Sequence, residues 1–465
     1  MAYIRHLFLN HLIFFIMKFI SRRNFLHTAG AVTVGAVIIP NFISCSPSKK
    51  INIAIVGVGG RGKAQWETCT LENVVAMCDV DDKRAAEGYN AYPKAKRYKD
   101  FRKMFDEMAG EIDAVMVSTP DHIHFAATMA AMQLGKHVYV EKPLAHNIWQ
   151  LRTLQKAAHH YKVITQMGNQ GHATDGIRRV KEWVDAGILG DVKEVIAWFN
   201  GPEFGPDKYF NKPTEFPPAE ETIPDGLDWD LWLGPAAARP YNHVYVPKTW
   251  RGFYDFGNAE LGDWACHTLD APFWSLDLGS PTATEAVFNS GAPEGFLPDK
   301  SIIKFEFPAR GNKPPVTLQW FEGGLKPENR PEWKMDELPD SGMIMVGEKH
   351  NIITGGRPNN AQLMMPAEEW ESWKTNEMPE ATIPRIDGGP QKEFLDAIKG
   401  GPAPGSNFDY STRLTEMAAV GVLAQRFNTR IEFDAENMKV TNHQGMENYI
   451  KEPVREGWSF GEEVW

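Results

Sequence analysis

Gly57-Val58-Gly59-Gly60-Arg61-Gly62 places glycines 57, 59 and 62 at the spacing of a dinucleotide fingerprint. The first admits a tight turn, the second lets the backbone approach a pyrophosphate, and the third allows close helix–strand packing. The phosphates then meet free N–H groups at a helix N-terminus. Asp79 stands at the end of the next apolar run. A carboxylate there accepts hydrogen bonds from ribose hydroxyls and repels a 2′-phosphate, which points to NAD over NADP. Arg61 can stabilise phosphate charge and leaves some room for NADP. A second constellation is Asp263 and His267, four residues apart on a helical pattern from Leu261 to Leu276. That spacing puts both on one face, where they can converge on one ligand. Cys266 and Asp270 lie close by, but the spacing fits no zinc pattern and no metal is expected.

These groups need a framework that repeats strand, then helix. Ile51–Val56, Val74–Asp79, Ala114–Pro120 and Lys136–Glu141 read as buried strands, with helical patterns at Phe101–Met108 and Phe125–Leu134. The alternation predicts a parallel sheet with right-handed crossovers. From about residue 190 the pattern changes. Val192–Asn200, Ala283–Asn289, Ile302–Phe307, Val316–Phe321 and Gly342–Ile353 read as consecutive strands, hence a mostly antiparallel sheet in an α+β domain. The Pro- and aromatic-rich stretch 200–250 predicts long surface loops over a site.

The length of 465 residues predicts more than one domain. A net charge of −11 argues against nucleic acid as a partner, and four cysteines form no disulfide scaffold. Residues 1–50 hold six Lys/Arg and no acid, so they read as an address. Ser21-Arg22-Arg23-Asn24-Phe25-Leu26, followed by a mild apolar run to Ile39, resembles a twin-arginine export signal. Met17 offers an alternative start. Phe42-Ile43-Ser44-Cys45 resembles a loose lipoprotein box, with cleavage before Cys45 and a lipid anchor on it; the alternative is an ordinary cleavage region with an incidental cysteine. The predicted division is an export signal over 1–49, a dinucleotide-binding domain over 50–170 and a second domain over 171–465. The protein is then exported folded by the twin-arginine machinery to the periplasm.

Ser118-Thr119-Pro120-Asp121-His122-Ile123-His124, then Glu141-Lys142-Pro143, Gly262-Asp263-Trp264-Ala265-Cys266-His267 and Phe394–Ile398, resemble the glucose–fructose oxidoreductase / inositol dehydrogenase / MocA (Gfo/Idh/MocA) family. The resemblance implies Lys142 as a catalytic lysine beside the nicotinamide and substrate oxygen, with Asp263 and His267 as its partners. It implies a Rossmann domain over 50–170 and a domain over 171–465 whose large open sheet serves substrate binding and oligomerisation. Around the cofactor it adds Thr119, Pro120, Glu141 and Lys142 to Gly57, Gly59, Gly60, Arg61, Gly62 and Asp79. One of His122 and His124, which follow the third strand, is expected to touch the nicotinamide ribose or substrate; a structural role is the alternative. The resemblance also implies a homo-oligomer.

Oxidising a secondary alcohol sends hydride to the nicotinamide while the hydroxyl loses its proton. A neutral imidazole suits that proton transfer, and an ammonium on the same oxygen stabilises developing alkoxide charge. His267 is therefore expected to be the base or proton shuttle, Lys142 the oxyanion stabiliser and relay partner, and Asp263 the anchor for a substrate hydroxyl. Asn169, Gln170 and His172 resemble the family's substrate-facing loop. Thirteen of fifteen tryptophans follow residue 168, and Trp229, Trp232 and Trp250 fall in the loop region, where rings serve carbohydrates as apolar platforms. Trp250-Arg251-Gly252-Phe253 and Leu261–His267 resemble glucoside 3-dehydrogenases, which implies a glycoside oxidised at C3. Two alternatives are an NAD-dependent glycosidase that oxidises, eliminates, hydrates and reduces, and a non-catalytic periplasmic sugar-binding protein.

Overall fold

The structure, a computed structural model, describes residues 50–465. The arginine pair and Cys45 lie outside the described residues.

Strand and helix alternate through β1 (Asn52–Val56), α1 (Gly62–Thr68), β2 (Asn73–Cys78), α2 (Asp82–Ala91), β3 (Lys96–Tyr98), α3 (Phe101–Met108), β4 (Ala114–Val117), α4 (Asp121–Met132), β5 (His137–Glu141), α5 (Ile148–Tyr161) and β6 (Thr165–Gly168). Side-chain caps set several helix starts: Asp81 accepts from the Lys83 and Arg84 amides, Asp100 from Arg102 and Asn147 from Gln150. The strands form one parallel sheet in the order β3-β2-β1-β4-β5-β6. Because the order reverses between β1 and β4, a crevice opens at their carboxyl ends. Lys96–Tyr98 and Thr165–Gly168 carry too few apolar residues to read as strands. Thr165 and Gln166 are nonetheless buried, bonded through their side chains to the Phe408 amide and to Glu393.

The second domain holds α6 (Asp175–Asp185), β7 (Val192–Trp198), α7 (Trp229–Leu233), α8 (Ala259–Thr268), α9 (Asp270–Leu276), β8 (Ala283–Asn289), β9 (Ser301–Phe307), β10 (Val316–Glu322), β11 (Gly342–Gly347), β12 (Ile352–Thr354), β13 (Gln362–Leu363), α10 (Ala367–Asn376), α11 (Gly389–Ile398), α12 (Phe408–Phe427), β14 (Arg430–Asp434) and β15 (Lys439–Val440). Its nine strands run β13-β12-β11-β7-β10-β9-β8-β14-β15, antiparallel at every pairing except β7 with β10. Residues alternate between buried and half-buried along β9 and β10, as a sheet covered on one face requires. Ile303, Phe305, Leu318 and Trp320 share a core with Leu261 of α8 and with Met417 and Val420 of α12.

Two expectations change in detail. The expected strand 342–353 is two antiparallel strands, β11 and β12. The expected helix 261–276 breaks at Leu269 into α8 and α9; Pro272 sits in the first turn of α9, where its missing N–H costs nothing. Nor is the 200–250 stretch all surface loop. Trp229, Trp232, Tyr241, Tyr245 and Trp250 are buried, with Trp229 and Trp232 stacked at 4.7 Å.

The chain also returns to its first sheet. Phe394, Leu395 and Ile398 of α11 share a core with Ile51, Ile53, Ile55 and Tyr139. The segment after residue 450 lies on the helices of the same domain: Trp458 meets Phe101 edge-on at 5.9 Å, and Trp465 stacks on Trp149. Helix α12 is tied to α5 by Arg152, which donates to the fully buried Glu416 through Nε and through Nη2 (2.7 Å). Removing one partner strands a buried charge, at about 3–5 kcal/mol. Arg152→Ala is accordingly expected to destabilise the protein by about 3 kcal/mol in urea unfolding.

Candidate active site and dinucleotide cleft

A cleft of about 790 Å³ runs from the carboxyl ends of β1, β2 and β4 to the face of α8. Its floor is the glycine turn. Gly57 sits at φ +83°, where a Cβ would stand 2.6 Å from the Ser118 carbonyl, and a Cβ on Gly62 would stand 2.0 Å from the Gly57 oxygen. Only glycine permits that approach.

Asp79 braces this turn. Its Oδ2 accepts from the amides of Val58 (2.8 Å) and Gly59 (3.0 Å), and its Oδ1 from Asp81 (3.0 Å). Arg61 turns toward β5 and donates Nε–H to Glu141 (2.9 Å), which also accepts from Gln65 (2.7 Å) and Gln170. Arg84, not anticipated from the sequence, lies across Gly60 and lines the cleft.

Asp263 of α8 is the hub of the far end. Lys142, just after β5, donates Nζ–H to both Asp263 Oδ1 and the Asp263 carbonyl, each at 2.7 Å; Arg251 donates Nε–H to the same Oδ1 at 3.0 Å. The two cations hold the buried carboxyl well below its ordinary range, against a desolvation effect that pushes the other way. Among the described residues both cations meet Oδ1, and no hydrogen bond reaches Asp263 Oδ2. His267, one turn on, is buried with its Nδ1 unpartnered. Burial, then Lys142 and Arg357, push its pKa well below the ordinary imidazole value, so the ring is neutral at physiological pH. Phe199 and Trp264 stack at 3.8 Å in the wall, with the Arg357 guanidinium 5.1 Å from Trp264. Trp250, Arg251 and Gln170 line the cleft as well.

Other expected contacts lie elsewhere. His122 is absent from the lining; Trp232 and Phe256 enclose it, its Nε2 is 2.9 Å from the Trp232 carbonyl, and burial lowers its pKa to about 3. His124 lines the cleft, but its nitrogens meet the carbonyls of Pro143 (2.7 Å) and Thr119 (2.9 Å), so it clamps two loops together. Asn169 and His172 face away. Asn169 donates to Asp270 (2.9 Å) and accepts from Ser406; His172 meets Asp270 at 3.0 Å, and Tyr410 donates to the same carboxylate. Trp229 is core. Cys266 bonds toward Thr415, with its thiol pushed up to about 12 by burial, so Asp263, Cys266, His267 and Asp270 diverge. Arg84, Asp121, Phe199, Tyr209, Glu260, Trp264 and Arg357, for none of which a role was expected, also line the cleft. Glu260, Asp263, Trp264 and His267 follow helical spacing, the one signal that could have found two of them.

Four buried polar atoms in the lining have no partner among the described residues: Ser118 Oγ, Thr119 Oγ1, Glu260 Oε2 and His267 Nδ1. Groups left unpaired at such depth cost stability unless a ligand completes them. Together with the glycine floor they fit a dinucleotide and a hydroxylated substrate.

Fold and cleft define a Rossmann domain joined to an open-sheet partner domain around one dinucleotide-sized cleft. Residues 51–169 match the oxidoreductase family model for the NAD-binding Rossmann fold, and residues 173–287 match the model for its C-terminal alpha/beta domain. The chain belongs to the Gfo/Idh/MocA family, and its cofactor is NAD. It is 23% identical over 258 residues to levoglucosan dehydrogenase of Pseudarthrobacter phenanthrenivorans, across 53% of this chain and 56% of that one. It is 28% identical over 211 residues to the alpha-N-acetylgalactosaminidase of Shewanella oneidensis, across 38% and 45%. The matched stretches thus span about half the length of these relatives. The WlbA dehydrogenase of Bordetella pertussis, solved with NADH and UDP-GlcNAcA, shares the fold at a TM-score of 0.55 and 16% identity, covering 83% of this chain and 99% of that one.

Proposed function

We propose that the protein oxidises a secondary alcohol of a sugar or glycoside, C3 of a glucoside foremost, using NAD kept through successive turnovers in the periplasm. The observation that carries this reading is the Lys142–Asp263–Arg251 cluster beside a neutral, buried His267 whose Nδ1 has no partner among the described residues, in the same cleft as the glycine turn. NAD, when bound, supplies the hydride acceptor. The protein supplies the rest. Asp263 Oδ2 accepts from one substrate hydroxyl. Lys142 donates to the oxygen that loses its proton and steadies its charge. His267 takes that proton at its free nitrogen. Trp264 and Phe199 offer the apolar face of a sugar a flat wall, a part expected of Trp229, Trp232 and Trp250.

Retention has support in how the cleft is closed. Residues 226–234 cross the ends of β2 and β3: Asp228 donates its amide to the Val80 carbonyl (2.9 Å), and Lys99 Nζ donates to the Gly226 carbonyl (2.8 Å). Arg455 fastens the C-terminal segment to this crossing through Asp230 (2.6 Å) and the Gly234 carbonyl (2.7 Å). Leu227, Leu231, Trp232 and Trp458 consequently line the cleft beside Asp79. Trp458 is part of this wall, so Trp458→Ala is expected to open it and to speed dinucleotide release by about tenfold. Dialysis of loaded protein followed by nucleotide assay checks it.

The test of function is a glycoside panel followed by reduction with borodeuteride. Deuterium at C3 of the recovered sugar supports the reading; deuterium at another carbon moves the site of oxidation, and none refutes it. A second reading, glycosidase action through the same oxidation, is favoured by Glu260, a carboxyl without partners in the substrate half of the cleft. The expected twin-arginine export and the lipid anchor on Cys45 are part of the proposal. Mass spectrometry of the mature N-terminus tests both.

A further inference from the structure

Glu260 has no part in the oxidation itself. It begins the face of α8 that continues through Asp263 and His267, at positions i, i+3 and i+7, so all three side chains border one cavity. Its side chain is 1% exposed, and its carboxyl rests against Gly201, where a Cβ would stand 2.4 Å from Oε1. Its carboxyl has no hydrogen-bond partner among the described residues, and Oε2 is buried. Acidic neighbours are Asp263 and Glu322, and basic ones Lys142 and Arg251; both cations are already engaged on Asp263. A buried carboxyl that no cation claims keeps its proton, and here burial followed by the two acids raises its pKa well above the ordinary carboxylate value. The site thus holds one ionised carboxyl, Asp263, and one neutral one, three residues apart. Such divergence separates an anchor from an acid.

We propose that Glu260 is the proton donor to the glycosidic oxygen that departs from C1 once a glycoside has been oxidised at C3. The proposal rests on the oxidation described above and adds a step to it. A C3 ketone acidifies the C2 hydrogen. His267, after passing the hydroxyl proton to solvent, takes the C2 proton. The C2–H electron pair becomes the C1=C2 double bond, the C1–O bond breaks, and its electron pair stays on the departing oxygen. That oxygen receives the Glu260 proton and leaves as an alcohol. The sugar remains as a 3-keto-1,2-ene, and the Glu260 carboxylate regains a proton from water. No redox change accompanies this step; the oxidant, bound NAD, acted before it.

The test compares wild type with Glu260→Gln, which preserves shape and loses the proton, on a 4-nitrophenyl glucoside and on methyl glucoside. Cofactor reduction is followed by nicotinamide fluorescence, and release of nitrophenol or methanol is measured separately. A departing nitrophenolate needs little protonation, whereas methoxide needs it fully. Glu260→Gln is expected to lose at least about 100-fold in methanol release and only a few-fold in nitrophenol release. Cofactor reduction should fall no more than a few-fold with either substrate. Glu260→Ala with added formate guards against a folding defect, and recovery of methanol release is expected. Equal losses on both glucosides, or absence of formate recovery, overturn the assignment. A wild type that reduces its cofactor and releases no aglycone overturns it too, while leaving the oxidation reading intact. A wild type that reduces nothing removes both.

Discussion

Lys142→Ala is expected to lower kcat/KM on the sugar by about a thousandfold, equivalent to about 4 kcal/mol of transition-state stabilisation. One preorganised donor to a developing oxyanion is worth about 10²–10³ in rate, and Lys142 also relays the proton. Its ammonium is fixed by two 2.7 Å bonds to Asp263, so little reorganisation is needed when the alkoxide forms. Lys142→Arg should not restore the rate, because a planar guanidinium does not reproduce a point charge at that spot. Rates are expressed per bound dinucleotide, which separates loss of chemistry from loss of cofactor. A loss under tenfold would remove Lys142 from the reacting centre.

His267→Asn is expected to cost about 10²–10⁴ in kcat, the usual worth of a positioned general base. The pH profile carries the sharper signature. Activity needs the neutral imidazole, which is present above the folded-state pKa and lost as pH falls through it. Burial, Lys142 and Arg357 push that pKa well below the ordinary value, so kcat/KM should not fall as pH drops through about 6.5. Lys142→Met removes one of those causes and should move the acid limb upward. Stability runs in a matching direction. Below about 6.5 the unfolded chain binds protons that native His267 and His122 refuse, so Tm should fall with pH there.

The glycine turn, Asp79 and the Asp263/His267 pair were legible because local geometry enforces them: a turn that admits no Cβ, and a helix that returns to one face every fourth residue. The parallel sheet was legible from runs of Ile, Val and Ala. What escaped depends on distant packing. Asn169 and His172 belong to a turn whose outlook is set by Asp270, Ser406 and Tyr410, about 100 to 240 positions away in sequence. His122 sits one residue beyond the cleft-lining Asp121, and α4 is buried on every side, so spacing could not say which of its faces meets a ligand. Trp264 and Phe199 form their wall across two elements that no sequence period connects. Arg357 arrives from a loop after β12.

The most direct measurement gives the loaded enzyme a glucoside carrying deuterium at C3 and examines the nicotinamide by mass spectrometry after denaturation. The label is expected in the released dinucleotide, one deuterium for each 3-keto sugar formed. Label lost to water, or an unlabelled dinucleotide beside a changed sugar, would contradict oxidation at C3 by bound NAD.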